Sequence, residues 1–224
     1  EGGYTTVNNE KCPMHKGDLI MTPALNWHEH GHEGSGPVIW MDALDLPMIY
    51  AMEASYAIEG PSQPVRPEAD ASQNKYRRAG LLPYASLGRA HRADYPQIRY
   101  PWVDVRQALA ALATVTPKDE AVQLAYVNTE TGRPCLPTLG FSAMQLRAGQ
   151  DLALRKRSAS GVIHVIEGRG ESEIDGVTLQ WTEGDTLTIP THAQVRHRAM
   201  GNDAYLFHVD DAPMQRALGI YEDF

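Results

Sequence analysis

Cysteine is nearly absent from this 224-residue chain. Cys12 and Cys135 lack CxxC spacing, and two residues are too few to staple a small secreted scaffold. Reduced thiols in a cytoplasmic protein are the simpler expectation. Long apolar runs are missing as well. None approaches the roughly 18 to 20 residues that span a bilayer, and no basic start followed by an apolar core marks a signal peptide. Positive charge is in deficit, with 20 Lys and Arg against 28 Asp and Glu. That balance disfavours a chain whose main work is gripping a phosphate backbone, since that needs a basic surface. The one basic concentration, Arg155-Lys156-Arg157, has no interleaved aromatics. Neither nucleic acid nor a membrane is an expected partner.

What is present is ordinary globular composition, 42% hydrophobic and 21% charged. The opening Glu1-Gly2-Gly3-Tyr4-Thr5-Thr6-Val7 has no initiator Met and reads as a turn followed by a strand in mid-sheet. A portion preceding Glu1 is expected on that ground.

Two windows match at a constant offset of 167 residues: Gly3 … Gly17-Asp18-Leu19-Ile20-Met21-Thr22-Pro23 … His30, and Gly170 … Gly184-Asp185-Thr186-Leu187-Thr188-Ile189-Pro190 … His197. Gly-Asp supplies a tight turn, the apolar residues a short strand, and Pro stops the ladder by removing a donor. In the second window Val162 to Ile166 reads as a strand, Gly168-Arg169-Gly170 as a turn and Glu171 to Ile174 as the return strand. Asp175-Gly176 then reads as a hairpin turn into Val177 to Trp181. Many short strands at regular spacing predict an antiparallel barrel or jelly roll.

Residues 60–102 are rich in proline and arginine and predict wrapping loops. A helix follows, with Asp104 as cap, Gln107 completing a capping box, and Ala108, Leu109 and Leu112 on one face. A second helix is predicted from Thr116-Pro117, with Asp119 and Glu120 in its first turn.

The densest histidine cluster is Trp27-His28-Glu29-His30-Gly31-His32. If this segment is extended, His28 and His30 face one side and Glu29 the other. Two imidazoles entering a barrel could bind a transition metal, or one could ligate while the other acts as a base or donor. The competing reading is a histidine-rich loop at a barrel mouth. The zincin pattern H-E-x-x-H is not met. Downstream, Val38 to Asp45 reads as a buried strand interrupted by acids. Asp42 reads either as the partner of an active-site histidine or as a turn acid. Trp27 and Trp40 read as an aromatic wall or, taken singly, as core. At the 167 offset His28 maps to Val195 and His30 to His197, and the segment before the second barrel offers Arg and Lys, poor metal ligands. The second barrel is expected to be metal-free.

Gly17-Asp18-x4-Pro23-x3-Trp27-His28-Glu29-His30-Gly31, with Pro37-Val38-Ile39-Trp40-Met41-Asp42-Ala43-Leu44-Asp45-Leu46-Pro47, resembles the first-barrel signature of gentisate 1,2-dioxygenases. These are bicupin ring-cleaving enzymes whose relatives act on salicylate or 1-hydroxy-2-naphthoate. The resemblance implies an all-β bicupin with an N-terminally incomplete first barrel over 1–59, a loop-rich and helical linker over 60–135, and a second barrel over 136–224. It implies Fe(II) held by His28 and by an upstream H-x-H. It also implies that His30 is a non-ligand histidine bonded to Asp42, with Trp27 and Trp40 in the substrate pocket. The second barrel's H-x-H positions fall on Arg155 and Arg157. Gentisate and dioxygen would give maleylpyruvate, in a homotetramer. The expectations set against this are salicylate or 1-hydroxy-2-naphthoate as substrate, and a metal-free structural or ligand-binding cupin or inactive fragment.

Overall fold

The computed structural model describes residues 2–87 and 95–224. Glu1 of the expected opening strand and residues 88–94 of the expected loop region lie outside the described residues. Two compact units result, one comprising residues up to 102 with 128–132, the other residues 103–127 with 133–224.

In the first unit Gly3–Val7 (β1) turns through Asn8 and Asn9 into Glu10–Pro13 (β2). Both turn residues have positive φ, 45° and 73°, as a two-residue hairpin requires. Gly17-Asp18 makes the next turn, with Gly17 at φ 82° and the Asp18 carboxylate accepting the His15 amide at 3.1 Å. Leu19–Ile20 (β3) follows, and then His28–His32 (β4), which pairs antiparallel with the free edge of β1. The sheet order is β2-β1-β4. Leu46–Ala51 (α1) and Ala71–Lys75 (α2) are short helices, and Arg99–Tyr100 (β5) pairs with β3.

One ionic cluster holds the first unit's loops. Asp18 has a side chain only 4% exposed. It accepts from Arg99 Nε at 2.8 Å and from the Trp102 amide at 2.8 Å. Arg99 also donates to Asp70 and, at 2.8 Å, to His15 Nδ1.

The helix Trp102–Ala113 (α3), whose residues from Val103 on belong to the second unit, starts ahead of the predicted cap; Asp104 sits in its first turn, where it complements the helix dipole. Then come Val122–Ala125 (β6), Gly140–Leu146 (β7), Asp151–Ala153 (β8), Gly161–Glu167 (β9), Arg169–Ile174 (β10), Val177–Thr182 (β11), Thr186–Ile189 (β12), Val195–Ala199 (β13), Ala204–Asp210 (β14) and the helix Ala212–Leu218 (α4). They form two antiparallel sheets, β11-β10-β13-β8 and β12-β9-β14-β7-β6. A core of Met144, Leu146, Ile163, Val165, Trp181 and Leu206 belongs to strands of both sheets. This is the expected all-β jelly-roll architecture.

The 167-residue repeat is structural. β1 against β2 and β10 against β11 share one register after the offset (Thr5↔Cys12, Ser172↔Leu179), as do β1 against β4 and β10 against β13 (Thr5↔His30, Ser172↔His197). Gly184 repeats the positive φ of Gly17, and the Asp185 carboxylate accepts the Thr182 amide at 2.7 Å.

Three local expectations fail. Residues 38–45 form no strand; Ile39 is 94% exposed, and no described strand supplies a ladder for the segment. The helix predicted from Thr116-Pro117 is only a turn. Its carbonyls are claimed by side chains: Arg147 donates to Thr116 and Pro117, and Gln150 to Lys118 and Glu120. Finally, β10 does not pair back onto β9. At Gly168 (φ 92°) the chain passes from one sheet to the other.

Candidate functional site

β4 carries the histidines. Its alternation of more exposed and less exposed residues puts His28, His30 and His32 on one face and Glu29 and Gly31 on the other. The His28 and His30 ring centroids lie 5.8 Å apart, edge to face. Gly31 is required where it stands, because any side chain there would strike the Tyr4 ring.

Each ring is held by one bond. His28 Nδ1 lies 3.2 Å from the Asn26 carbonyl oxygen, which can only accept. The proton of the neutral ring is therefore on Nδ1, and Nε2 presents a lone pair. That is the arrangement in which a histidine is ready to ligate a metal. His30 Nδ1 meets Thr5 Oγ1 at 2.9 Å, and the Trp40 ring lies 5.4 Å from the His30 ring, tilted by 32°.

Trp27 is half-exposed and packs on Gly60, where an added Cβ would come 2.9 Å from the indole. Asp42 is exposed on the irregular segment after β4. The hydrogen bond at His30 Nδ1 is with Thr5. Register explains it: Thr5 stands opposite His30 on the paired strand. Thr5 is a residue the sequence reading passed over. The 167 offset aligns a hydroxyl, Thr5 with Ser172, alongside the shared histidine, and the strand pairing then sets each hydroxyl opposite its imidazole.

Other donors are disposed of by their surroundings. Burial, with Glu10 beside it, pushes the Cys12 thiol up to about 12, so it stays protonated at ordinary pH. His15 Nδ1 accepts from Arg99. Among the described residues no group of three or more His, Cys, Asp or Glu side chains is placed to hold a metal ion. The described residues fit iron through one prepared nitrogen, His28 Nε2, and do not make a complete ligand set.

No family model matches the chain. It is 46% identical over 226 residues to a gentisate 1,2-dioxygenase of Ralstonia sp., an alignment covering 100% of this chain and 62% of that protein. It is 36% identical over 228 residues to a 5-aminosalicylate 1,2-dioxygenase of Comamonas sp., covering 98% of this chain and 59% of the relative. The structure superposes on the crystal structure of a salicylate 1,2-dioxygenase from Pseudaminobacter salicylatoxidans with a TM-score of 0.91 at 28% identity, covering 100% of this chain and 66% of that one. The chain thus spans about three fifths of the length of the curated relatives it matches.

Proposed function

The chain matches the gentisate/salicylate-type family of bicupin ring-cleaving dioxygenases in sequence and in fold, and on that premise we propose that it carries part of an Fe(II)-dependent site opening the ring of gentisate (2,5-dihydroxybenzoate) with dioxygen to give maleylpyruvate. The observation that carries the substrate choice is the identity to the Ralstonia gentisate enzyme, higher than that to the aminosalicylate enzyme. Residues 1–59 would be the metal-site part of a first cupin, 60–135 a linker, and 136–224 a second cupin without metal.

His28 would contribute one nitrogen to the iron. The chemistry such an ion supplies is to hold the acid's carboxylate and neighbouring hydroxyl beside dioxygen. His30 would hold or accept the proton of a substrate hydroxyl through Nε2, since its Nδ1 is engaged by Thr5. Thr5 and Trp40 would fix the ring that does this, one by a hydrogen bond and the other by its face. Asp42 would steady the same imidazole by its charge, and Trp27 would wall the substrate side. The protein would work as a cytoplasmic homotetramer.

The test is gentisate-dependent dioxygen uptake by the full-length protein after anaerobic loading with Fe(II), against a no-iron control and against salicylate and 1-hydroxy-2-naphthoate. One dioxygen consumed per gentisate, only with iron, supports the reading. Preference for either other acid reassigns the substrate within the family. A second reading is a metal-free ligand-binding cupin, since among the described residues one prepared nitrogen, His28 Nε2, stands without further metal ligands grouped with it. Saturable gentisate binding without iron and without uptake would establish that reading instead.

A further inference from the structure

Two imidazoles are walled into the second unit, and the proposed chemistry uses neither. His197 on β13 has no exposed surface and His208 on β14 is nearly as buried. They come from the two different sheets, with ring centroids 6.2 Å apart and planes at 86°. Both line a cavity of about 20 Å³ whose walls include Ile163, Ile189 and Val195. Among the described residues neither Nε2 has a hydrogen-bond partner. An unpaired buried polar atom is costly, so two such atoms on residues that line one cavity point to something between them.

The bonds behind His197 say what that something must do. The indole Nε1–H of Trp181 can only donate, and it donates to Ser172 Oγ at 2.8 Å. Ser172 has no exposed surface either, and the acceptor for its own hydrogen is His197 Nδ1 at 2.7 Å. Nδ1 therefore enters this chain as a lone pair, and the proton of the neutral ring sits on Nε2, aimed at an acceptor. Both rings stay neutral at ordinary pH. Burial pushes His197 down to about 4. Burial, with His197 and Arg157 nearby, pushes His208 down to about 3.

We infer that this cavity is a binding site for one water molecule, which accepts from His197 Nε2 and donates to His208 Nε2, closing a polar chain from Trp181 through Ser172 that ties the barrel's two sheets together. The volume is right, since about 10–15 Å³ admits a water. The protonated His197 Nε2 has no lone pair for a metal, which leaves at most the single His208 nitrogen, and among the described residues the cavity lining carries no acidic side chain to complete a cation site. An anion would have to shed its hydration among isoleucine and valine side chains.

The test is a high-resolution crystal structure of the full-length protein prepared without added metal, with nitrogen-resolved imidazole spectra of the same protein in solution. The expected result is one solvent peak within about 2.7–3.2 Å of both Nε2 atoms, no anomalous scattering at it, and His197 protonated on Nε2 only. An empty cavity, a peak that scatters as a transition metal, or a His197 protonated on Nδ1 would each overturn the inference.

Discussion

The two copies of the hairpin unit use the same pair of groups in opposite ways. Thr5 with His30 and Ser172 with His197 occupy matching registers 167 residues apart, at 2.9 and 2.7 Å. His30 is exposed beside Trp40 and next to His28. His197 is sealed under Trp181, which donates to the same hydroxyl. At the Trp181 position the first copy has Met14, which carries no N–H donor. A hydroxyl–imidazole pair is thus a module whose role is set by its surroundings. With one ring nitrogen left accessible it can handle protons or substrates, and once sealed it becomes part of the core's hydrogen bonding.

Substituting the paired histidines is the strongest way to break this comparison. His30→Ala should lower kcat/KM for ring cleavage about 10²- to 10⁴-fold, the usual range for a lost acid–base group, with an unchanged denaturation midpoint. His197→Ala should do the reverse. It leaves the Ser172 hydroxyl hydrogen without its acceptor and opens a cavity, costing about 2–4 kcal/mol in chemical denaturation while kcat per folded molecule holds. Equal effects of the two on stability would end the distinction.

The turn aspartates come next in size. Asp18 is buried against Arg99, whereas the Asp185 carboxylate is exposed and accepts from the Thr182 amide and hydroxyl. Asp18→Ala should cost about 2–3 kcal/mol, because Arg99 keeps Asp70 but loses the more buried of its two carboxylate partners. Asp185→Ala should cost about 1 kcal/mol, the value of one turn cap. Urea midpoints of the two variants decide it.

Acid sharpens the comparison from the second unit's side. His197 and His208 bind protons in the folded state only near pH 4 and pH 3, against about 6.5 unfolded. Between these limits the unfolded chain binds more protons, so stability rises with pH across that window and is fully present above about 6.5. Lowering the pH from 6.5 to 4 should remove on the order of 3 kcal/mol through His197 alone. Denaturation midpoints of wild type and His208→Phe, compared across this range, should show a shallower pH slope in the variant.

Much of this was legible in the sequence because Gly-Asp, Asp-Gly and strand-stopping prolines fix turns, and turns fix register. That is why the repeat at 167, the extended His28–His30 face and the jelly roll of the second unit could be read from residue types alone. What could not be read depended on partners distant in the chain. Val38 to Asp45 has the composition of a strand and no ladder to join. Thr116-Pro117 has a helix start, but its carbonyls go to Arg147 and Gln150. The Thr5 bond to His30 spans 25 residues and becomes visible only once the strand pairing is known.

The smallest test concerns the hairpin turn that both copies share. The second copy turns through Asp175-Gly176, with φ of 48° and 82°, and the first through Asn8-Asn9, with φ of 45° and 73°. Two residues at positive φ make the type of turn that matches strand twist, for which Asn-Gly is the favoured pair. Asn tolerates the left-handed region better than most residues but still at some cost, whereas Gly carries no Cβ to clash. Asn9→Gly should therefore stabilise the protein by roughly 0.5 kcal/mol, after the added chain entropy of glycine offsets part of the relief. Gly176→Asn should lose a similar amount. A destabilised Asn9→Gly would mean that the Asn9 side chain holds the first hairpin in a way the second copy does without, and the equivalence of the two turns would then be one of shape alone.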